Sequence, residues 1–348
     1  KYHQGSKKLV SFIKKINAEI QPDLVHIWGT ENGFGFAVIE AKLQTPVLLD
    51  IQGLLFSIGR NYYGGLSTVD LLNCIGIKEI LRPGNHPYFI REKFEKNGKH
   101  ELHLIKQMEN ISVQSDWVHS IIKQVNPKSA VFPTGIMLRS EFYETPAWEY
   151  QKNSETINIF TASSGTIPYK GLHVIFDALA ILMNRYPNIK LNIGGNIQVK
   201  KKYGLIRDGY TGWILKKARK LGIEDSISWL GMMDASEVIA EMHRSSLVVI
   251  PSFIESYCLF MAESMMVGVP TVASFAGAMP QLAEHGKSAL YFPMGDHWSC
   301  ARQIERIVTE PELAKRLSVE SRSTALQRNN QIKVLETQLG IYNKIMHS

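Results

Sequence analysis

Residues 251–270 read PSFIESYCLFMAESMMVGVP. An apolar, strand-like run, Leu247–Pro251, enters this stretch, and Gly268 marks the end of the helix that follows. Glu255 lies in the connecting loop, and Glu263 lies one to two turns into the helix. A helix N-terminus directs unpaired N–H groups and a partial positive charge toward its loop. The strand, loop and helix therefore predict an anion site flanked by two carboxylates.

The two carboxylates suit different parts of a sugar nucleotide. A diphosphate would lie at the start of the helix, near Tyr257. Glu263 would accept hydrogen bonds from two vicinal ribose hydroxyls, because both oxygens of a carboxylate are acceptors. Glu255 would hold hydroxyls of the donor sugar. Taken alone, the spacing fits equally well two solvated carboxylates that flank an amphipathic helix.

Strand-like runs alternate with helical patterns along the whole chain, which is typical of βαβ units and a parallel sheet. In the second half the predicted strands are Ile157–Ala162, Lys190–Gly194, Ile227–Leu230, Leu247–Pro251, Thr271–Ser274 and Ala289–Phe292. In the first half they are Asp23–Trp28, Pro46–Ile51, Ile111–Gln114 and Ala130–Pro133, with a helical insert over 66–110. We predict an α/β chain of two doubly wound, Rossmann-like domains, 1–148 and 149–328. A C-terminal helix, 329–348, is expected to pack back toward the first domain.

Composition narrows the class of protein. The 348 residues, 45% of them hydrophobic, are ample for two cores, and the formal charge of +7 favours anionic partners. Basic runs stand at Lys200–Lys202 and Lys216–Lys220, but no stretch interleaves them with aromatic residues as a nucleic-acid platform would. Three cysteines without motif spacing fit a reducing compartment, and no membrane span or signal peptide is visible. We therefore expect a cytoplasmic protein, with possible peripheral contact at the inner face of the membrane.

The chain resembles the family 4 glycosyltransferases, which are retaining enzymes of GT-B architecture. The resemblance is most specific over 247–296, where the matching residues are Ile250-Pro251-Ser252, Glu255, Ala262-Glu263-Ser264-Met265, Gly268-Val269-Pro270, Gly277, Pro280 and Gly295-Asp296. Weaker matches are Lys170-Gly171, Gly194-Gly195-Asn196, Trp229-Leu230-Gly231 and Pro133-Thr134-Gly135-Ile136. It implies two domains that face a central cleft. A UDP- or GDP-linked sugar donor would bind to the second domain, and a saccharide or lipid-linked acceptor to the first.

The resemblance also assigns roles to residues. Lys170 and Glu255 would be catalytic, with Lys170 neutralising the departing diphosphate. The donor would be bound by Glu263, Ser256, Tyr257, Cys258, Leu259, Gly165, Gly194 and Gly195. Gln52 and Gly53 would lie on the acceptor side. No metal or cofactor is expected, because the sequence has no Asp-x-Asp pair and its histidines show no zinc spacing.

Several positions depart from the family pattern. Gly165 stands where an arginine usually precedes the phosphate-binding lysine, and Lys200–Lys202 are candidates to replace that charge. Cys258 replaces a frequent glycine, and Gln52 replaces a histidine near the reacting sugar. The family's first strand and glycine-rich loop would precede Lys1, so we expect the first domain to lack its initial βα units and the native protein to extend further.

Three other functions compete with sugar transfer in polysaccharide or glycolipid synthesis. The first is a dehydrogenase: Gly33-Phe34-Gly35 and Asp50 imitate a dinucleotide fingerprint, but Val38 stands in place of the third glycine. A sugar-nucleotide epimerase or a sugar phosphorylase would use the same fold. A non-catalytic protein that binds nucleotide sugars would explain Gly165 and Gln52. Turnover of a donor sugar without acceptor separates an enzyme from a binding protein.

Overall fold

The computed structural model describes residues 7–151, 156–197 and 209–347. Within these ranges the strands are β1 (Val25–Trp28), β2 (Val47–Asp50), β3 (Asn110–Val113), β4 (Ala130–Pro133), β5 (Ile157–Ala162), β6 (Ile189–Gly194), β7 (Ile227–Gly231), β8 (Leu247–Ile250), β9 (Thr271–Ser274) and β10 (Leu290–Phe292).

Helices connect and flank these strands. They are α1 (Lys7–Ile20), α2 (Phe34–Ala41), α3 (Leu55–Asn61), α4 (Thr68–Asn73), α5 (Ile77–Leu81), α6 (Pro87–Ile105), α7 (Asp116–Val125), α8 (Glu141–Glu144), α9 (Leu172–Met183), α10 (Gly209–Lys220), α11 (Ala235–Arg244), α12 (Leu259–Val267), α13 (His297–Thr309), α14 (Pro311–Arg328) and α15 (Gln331–Met346).

The first of two compact units comprises Lys1–Arg60, Glu92–Met137 and Asn329–Ser348. Its sheet is parallel throughout, in the order β1-β2-β3-β4. Leu49 and Ile111 are fully buried at its centre, as expected of a parallel sheet whose faces are both covered. Ile341 and Ile345 of α15 pack on this sheet in a small separate cluster.

The second unit comprises Asn61–Arg91 and Leu138–Arg328. Its parallel sheet has the order β7-β6-β5-β8-β9-β10, the doubly wound arrangement in which the strand order reverses between β5 and β8. All four residues of β8 are buried. In such sheets, ligands bind outside the carboxyl ends of the strands at this reversal. The loops after β5 and β8 are therefore where the site should be sought.

The predicted fold class is confirmed, since both sheets are parallel and alternate with helices. Every predicted strand is present, with ends that agree to within two residues. Helix α12 begins at Leu259, slightly later than the predicted start near Tyr257. The run Lys200–Lys202, like Lys1, lies outside the described residues.

Candidate active site

Two loops meet at the reversal of the second sheet. One follows β5 and ends at Gly171, and the other follows β8 and begins at Pro251. Gly171 has φ +72°, and a Cβ atom there would lie 2.1 Å from the carbonyl oxygen of Pro251. The N–H of Phe253 donates to the carbonyl oxygen of Tyr169 over 2.7 Å. Backbone contact thus joins the loops directly, and it requires a glycine at 171.

This contact brings the two predicted catalytic side chains together. The Nζ of Lys170 lies 2.6 Å from Oε1 of Glu255, and the two side chains are 21% and 14% exposed. Burial lowers the pKa of Lys170, but the carboxylate of Glu255 outweighs it and the pKa is raised overall. Lys170 is therefore a cation at every physiological pH. An ammonium has three donors, so Lys170 can bind Glu255 and an anion together.

The backbone at Glu255 is fixed by a neighbouring turn. Gly277 has φ +54°, and a Cβ atom at this position would lie 2.1 Å from the carbonyl oxygen of Glu255. The N–H of Ala278 donates to that same oxygen over 2.9 Å. In the same loop, the carbonyl oxygen of Ser252 accepts a hydrogen bond from the hydroxyl of Ser274 at the end of β9. The carboxylate of Glu255 consequently projects from a rigid loop.

Helix α12 begins immediately after this loop. Its N-cap is Cys258, with φ +87° and ψ 79°, and the Cys258 side chain makes no capping hydrogen bond. This left-handed conformation favours glycine and strains other residues, which explains the glycine of the family pattern. Burial raises the pKa of the Cys258 thiol, so it stays protonated. Tyr257 is also buried, Ser256 is half-buried and Leu259 is exposed.

Glu263 is bound by an arginine that the sequence did not indicate. The Nε and Nη2 of Arg139 donate to Oε1 of Glu263 over 3.1 and 2.9 Å. Burial raises the pKa of Glu263, and the charge and hydrogen bonds of Arg139 oppose that rise. The guanidinium of Arg139 also lies 4.9 Å from the ring centre of Phe142. Arg139 thus favours the ionised form of Glu263, the form that accepts at both oxygens.

Three predicted glycines line the carboxyl ends of β5 and β6. Gly195 has φ +118°, and a Cβ atom there would lie 1.7 Å from the carbonyl oxygen of Ser163. Gly194 accepts the N–H of Ser163 over 3.0 Å. Gly165 differs, because a Cβ atom there would meet nothing nearer than Ile167 at 3.6 Å. The geometry requires a glycine at 195 and leaves room for a side chain at 165.

The predicted acceptor-side residues lie in the first unit. The exposed Gln52 donates through Nε2 to Oδ2 of Asp50. Ser112 and Gln114 also donate to the Asp50 carboxylate, over 2.6 and 2.9 Å. Burial raises the pKa of Asp50 and these hydrogen bonds oppose the rise. Asp50 is thus bound by side chains of its own unit, whereas in a dehydrogenase this carboxylate would accept the ribose hydroxyls. Half-buried Gly53 follows Gln52.

A second buried carboxylate of the first unit was missed by sequence reasoning. Glu101 of α6 accepts from the hydroxyl of Thr30 and, over 3.1 Å, from the N–H of Phe56 at the start of α3. Burial, only partly opposed by these hydrogen bonds, raises the pKa of Glu101 to about 7. The helical insert gave no pattern that singled this glutamate out.

Lys170, Glu255 and the start of α12 therefore lie together at the reversal of the second sheet. Gly194 ends β6, Gly195 follows it, and Gly165 lies in the loop after β5. Gln52 and Gly53 belong to the first unit. Across the described ranges, no three His, Cys, Asp or Glu side chains form a group able to hold a metal ion.

Comparison with protein families and sequences gives consistent results. The family model described as Glycosyl transferases group 1 matches residues 146–324. The uncharacterized glycosyltransferase YqgM of Bacillus subtilis is 22% identical over 273 residues, which cover 78% of this chain and 69% of that protein. Glycogen synthase of Mycobacterium tuberculosis is 27% identical over 153 residues, or 44% of this chain. The match spans only 34% of the glycogen synthase.

Solved structures share the fold over nearly the whole chain. Sucrose-phosphate synthase from Thermosynechococcus elongatus superposes with a TM-score of 0.71 at 16% identity, over 98% of this chain and 78% of its own. HepE of Anabaena, solved with UDP-glucose, superposes with a TM-score of 0.68 at 16% identity, over 97% of this chain and 82% of the HepE chain. TarM of S. aureus, solved with UDP and α-GlcNAc-glycerol, gives 0.69 at 15% identity, over 96% and 59%. The predicted GT-B fold is thereby confirmed.

Proposed function

The chain belongs to the glycosyl transferases group 1 family, and from this premise we propose that it is a retaining, metal-independent glycosyltransferase of family 4. It transfers a sugar from a nucleotide-diphosphate donor to an acceptor hydroxyl. The observation that carries the proposal is the Lys170–Glu255 pair, 2.6 Å apart at the sheet reversal and adjacent to the start of α12. A fixed cation, a fixed carboxylate and a helix N-terminus together suit a sugar diphosphate.

The donor diphosphate lies against Lys170 and the first turn of α12. When the bond from the anomeric carbon to the phosphate oxygen breaks, its electron pair stays on that oxygen. Negative charge therefore builds there in the transition state, and a preplaced cation and helix N–H groups stabilise it. Because the ion pair keeps Lys170 protonated, this stabilisation needs no proton transfer to the lysine.

The acceptor hydroxyl forms the new bond on the face that the diphosphate leaves, which retains the anomeric configuration. A donor phosphate oxygen takes the hydroxyl proton. Glu255 then holds hydroxyls of the donor sugar and forms no covalent bond. Trapping of a glycosyl-enzyme, or burst kinetics, would contradict this sequence of events.

The nucleoside is held farther along α12. Glu263 accepts hydrogen bonds from the ribose hydroxyls, and Arg139 keeps its carboxylate ionised and oriented. Gly194 and Gly195 let the backbone at the end of β6 approach the donor closely. Lys200–Lys202, outside the described ranges, are the candidates to supply the charge that is missing at Gly165.

The substrates are proposed by class. UDP-linked donors are the first candidates, because HepE and TarM were both solved with UDP or UDP-glucose, and GDP-linked donors are the second. The acceptor is a saccharide or a lipid-linked saccharide in polysaccharide or glycolipid synthesis. Gln52 and Gly53 would bind it through hydrogen bonds, since neither is an acid or a base.

Donor hydrolysis without acceptor tests the proposal. A panel of UDP-, GDP- and ADP-sugars is incubated with the protein, with and without EDTA, and the released sugar is followed by proton NMR. We expect slow release of the same anomer that the donor carried, unaffected by EDTA. Initial release of the opposite anomer would exclude retention.

A non-catalytic protein that binds nucleotide sugars is the second candidate. It is favoured by Gly165, where the cation of the family pattern is missing although the structure has room for a side chain. Tight donor binding without turnover at any donor or acceptor tested would favour it over the enzyme.

A further inference from the structure

Helices α4 and α5 of the second unit, and the turn between them, direct aliphatic side chains outward. The residues are between 50% and 70% exposed, and they are Val69, Leu72, Ile75, Ile77, Ile80 and Leu81. We call these six residues the outward face. A helix of a folded domain ordinarily buries such side chains and exposes its charges. Here the aliphatic side chains are exposed, and the inward side of α5 instead carries a carboxylate, Glu79, that is only 3% exposed.

Contacts on the inner side hold this orientation. Cys74 is fully buried, and a Cβ atom at Gly209 would lie 1.4 Å from the Cys74 carbonyl oxygen. Glu79 accepts the N–H of Gly76 over 3.1 Å. The N-cap Ser67 and Asp70 bind each other reciprocally at the start of α4. Cys74 and Glu79 thus lie against Gly209 at the start of α10, so this side of the helices faces the unit and the aliphatic side faces outward.

At the surface of residues 67–82, two basic side chains stand against one acidic side chain. Asp70 is half-buried and bound in the cap of α4, and Glu79 lies in the interior. Arg82 is exposed and Lys78 half-buried. Two large aromatic residues follow, Tyr88 and Phe89, which are 47% and 44% exposed. Aliphatic side chains beside basic and aromatic ones are the composition of surfaces that insert into the interface of an anionic bilayer.

We propose that the outward face docks on an anionic phospholipid bilayer, with its aliphatic side chains entering the interface and Lys78 and Arg82 contacting lipid head groups. Within the described ranges, no helix has the length and apolarity needed to cross a bilayer, so the contact is peripheral. A symmetric contact between two copies fits less well, because it would bring Lys78 and Arg82 of both copies into one interface.

This inference deepens the proposed function, because it names the surface through which an enzyme for lipid-linked acceptors reaches them. The proposed function explains why the protein would bind a membrane, but the binding itself does not depend on it. Vesicle binding is measured without donor or acceptor, so loss of binding and loss of sugar transfer are separate results.

The test is co-sedimentation of the full chain with vesicles. We expect binding to an equal mixture of phosphatidylglycerol and phosphatidylcholine and little binding to phosphatidylcholine alone. The Ile77→Ser/Ile80→Ser/Leu81→Ser variant should reduce the partition coefficient by on the order of tenfold or more, since burial of apolar area drives interfacial binding. The Lys78→Gln/Arg82→Gln variant should reduce it by about fivefold for each charge.

Matched variants show whether the effect is local. Val319→Ser/Ile332→Ser/Leu335→Ser removes three exposed aliphatic side chains from α14 and α15, and it should leave binding unchanged. Lys216→Gln/Lys220→Gln removes two exposed charges from α10, and it should also have little effect. Thermal melting of each variant checks that the fold is kept.

Three results would overturn the proposal. One is binding by the Ile77, Ile80 and Leu81 variant equal to that of the unchanged chain. Another is loss of binding only when Lys200–Lys202 are replaced by glutamine. The third is a wild-type chain that binds neither vesicle type and is dimeric by light scattering, while the Ile77→Ser/Ile80→Ser/Leu81→Ser variant is monomeric.

Discussion

The ammonium group of Lys170 lies 2.6 Å from a carboxylate oxygen of Glu255, although the two residues are 85 positions apart in the chain. Two parallel strands, β5 and β8, pair directly, so the loops that follow them begin at the same edge of the sheet. Glycines at 171 and 277 allow the backbones to touch there. The doubly wound topology therefore brings the pair together, and each charge compensates the other in this largely buried position.

Replacing Lys170 by alanine should lower donor turnover by on the order of a hundredfold, because a charge that stabilises the leaving diphosphate is lost. The same change should destabilise the unit by about 3 kcal/mol or more, since it leaves the Glu255 carboxylate buried without its partner. Chemical denaturation and donor hydrolysis measure the two effects. Adding Glu255→Gln to Lys170→Ala should restore much of the stability and none of the turnover.

The Lys217–Asp177 pair provides a matched control for this prediction. Its atoms are 2.7 Å apart and its side chains are 22% and 26% exposed, close to the values of the Lys170 pair. Lys217→Ala should lower stability and leave donor turnover within about twofold of the wild type. A Lys170→Ala protein with unchanged turnover would remove this residue from the mechanism.

Arg139→Met should shift the pH dependence of donor binding upward. Glu263 accepts ribose hydroxyls as a carboxylate, so binding weakens as the pH falls through the pKa of Glu263. Without Arg139, burial acts unopposed and that pKa rises further. Calorimetric titration with UDP between pH 4 and 8 should show the midpoint at a higher pH, and Arg139→Lys should keep most of the original profile. Identical profiles for Arg139→Met and wild type would contradict the assignment.

Much of the fold could be predicted because parallel strands are marked locally. β8 is a continuous apolar run, Leu247–Ile250, that ends at Pro251, and a short buried run of this kind between helical patterns indicates a strand of a parallel sheet. Arg139 could not be predicted, because its contact with Glu263 spans 124 positions and no spacing marks it. Glu79 likewise reads as a solvated residue of a short helix until its burial is known. The roles of the site residues stay predictions.

Replacement by alanine should affect the stability of the protein little at Gly165 and strongly at Gly195. Gly165→Ala should change stability by less than about 0.5 kcal/mol, because the added Cβ meets only ordinary contacts. Gly195→Ala should destabilise the protein by more than about 2 kcal/mol, because its Cβ would overlap the carbonyl oxygen of Ser163 at φ +118°. Thermal and chemical denaturation measure both.

Gly165→Arg tests the missing cation of the family pattern. The side chain has room, and a second charge at the diphosphate should tighten UDP binding by roughly tenfold, as a charge-assisted hydrogen bond does. Gly165→Gln is the control, since it adds a side chain of moderate length without charge. Equal affinity of the arginine and glutamine variants would show that the diphosphate does not lie near residue 165.

Glu101 should make the first unit less stable as the pH rises from 4.5 to 7. Its carboxyl titrates at about 7 in the fold and at 4.5 in the unfolded chain. The folded form therefore holds a proton that the unfolded chain releases. The stabilisation from this proton is therefore fully present below pH 4.5, the pKa in the unfolded chain, and it is lost as the pH rises to about 7, the pKa in the fold. The loss is on the order of 3 kcal/mol.

Glu101→Gln should remove this dependence, since glutamine keeps an oxygen for the N–H of Phe56 and does not ionise. Urea denaturation at pH 5, 6, 7 and 8 should show a flatter profile for the variant and greater stability than wild type at pH 8. The exposed Glu109→Gln serves as the control. A profile that keeps its slope in Glu101→Gln would assign the pH dependence to another group.

The Cys258→Gly protein should be more stable than the Cys258→Ala protein, whereas alanine is ordinarily the more stabilising of the two residues in a helix. Both replacements remove the buried thiol, and they differ by one buried methyl group and by the backbone freedom of glycine. At φ +87° an alanine keeps the left-handed strain that glycine avoids, and we expect this to outweigh the lost methyl contacts and the entropy that a flexible glycine loses on folding. We expect Cys258→Gly to exceed Cys258→Ala by about 1 kcal/mol in the free energy of unfolding. The buried Cys300 begins no helix and lies within α13, so the same pair of changes there should favour alanine. If Cys258→Ala proved the more stable of its pair, the strain at this N-cap would be disproved, and with it the physical reason for the glycine of the family pattern.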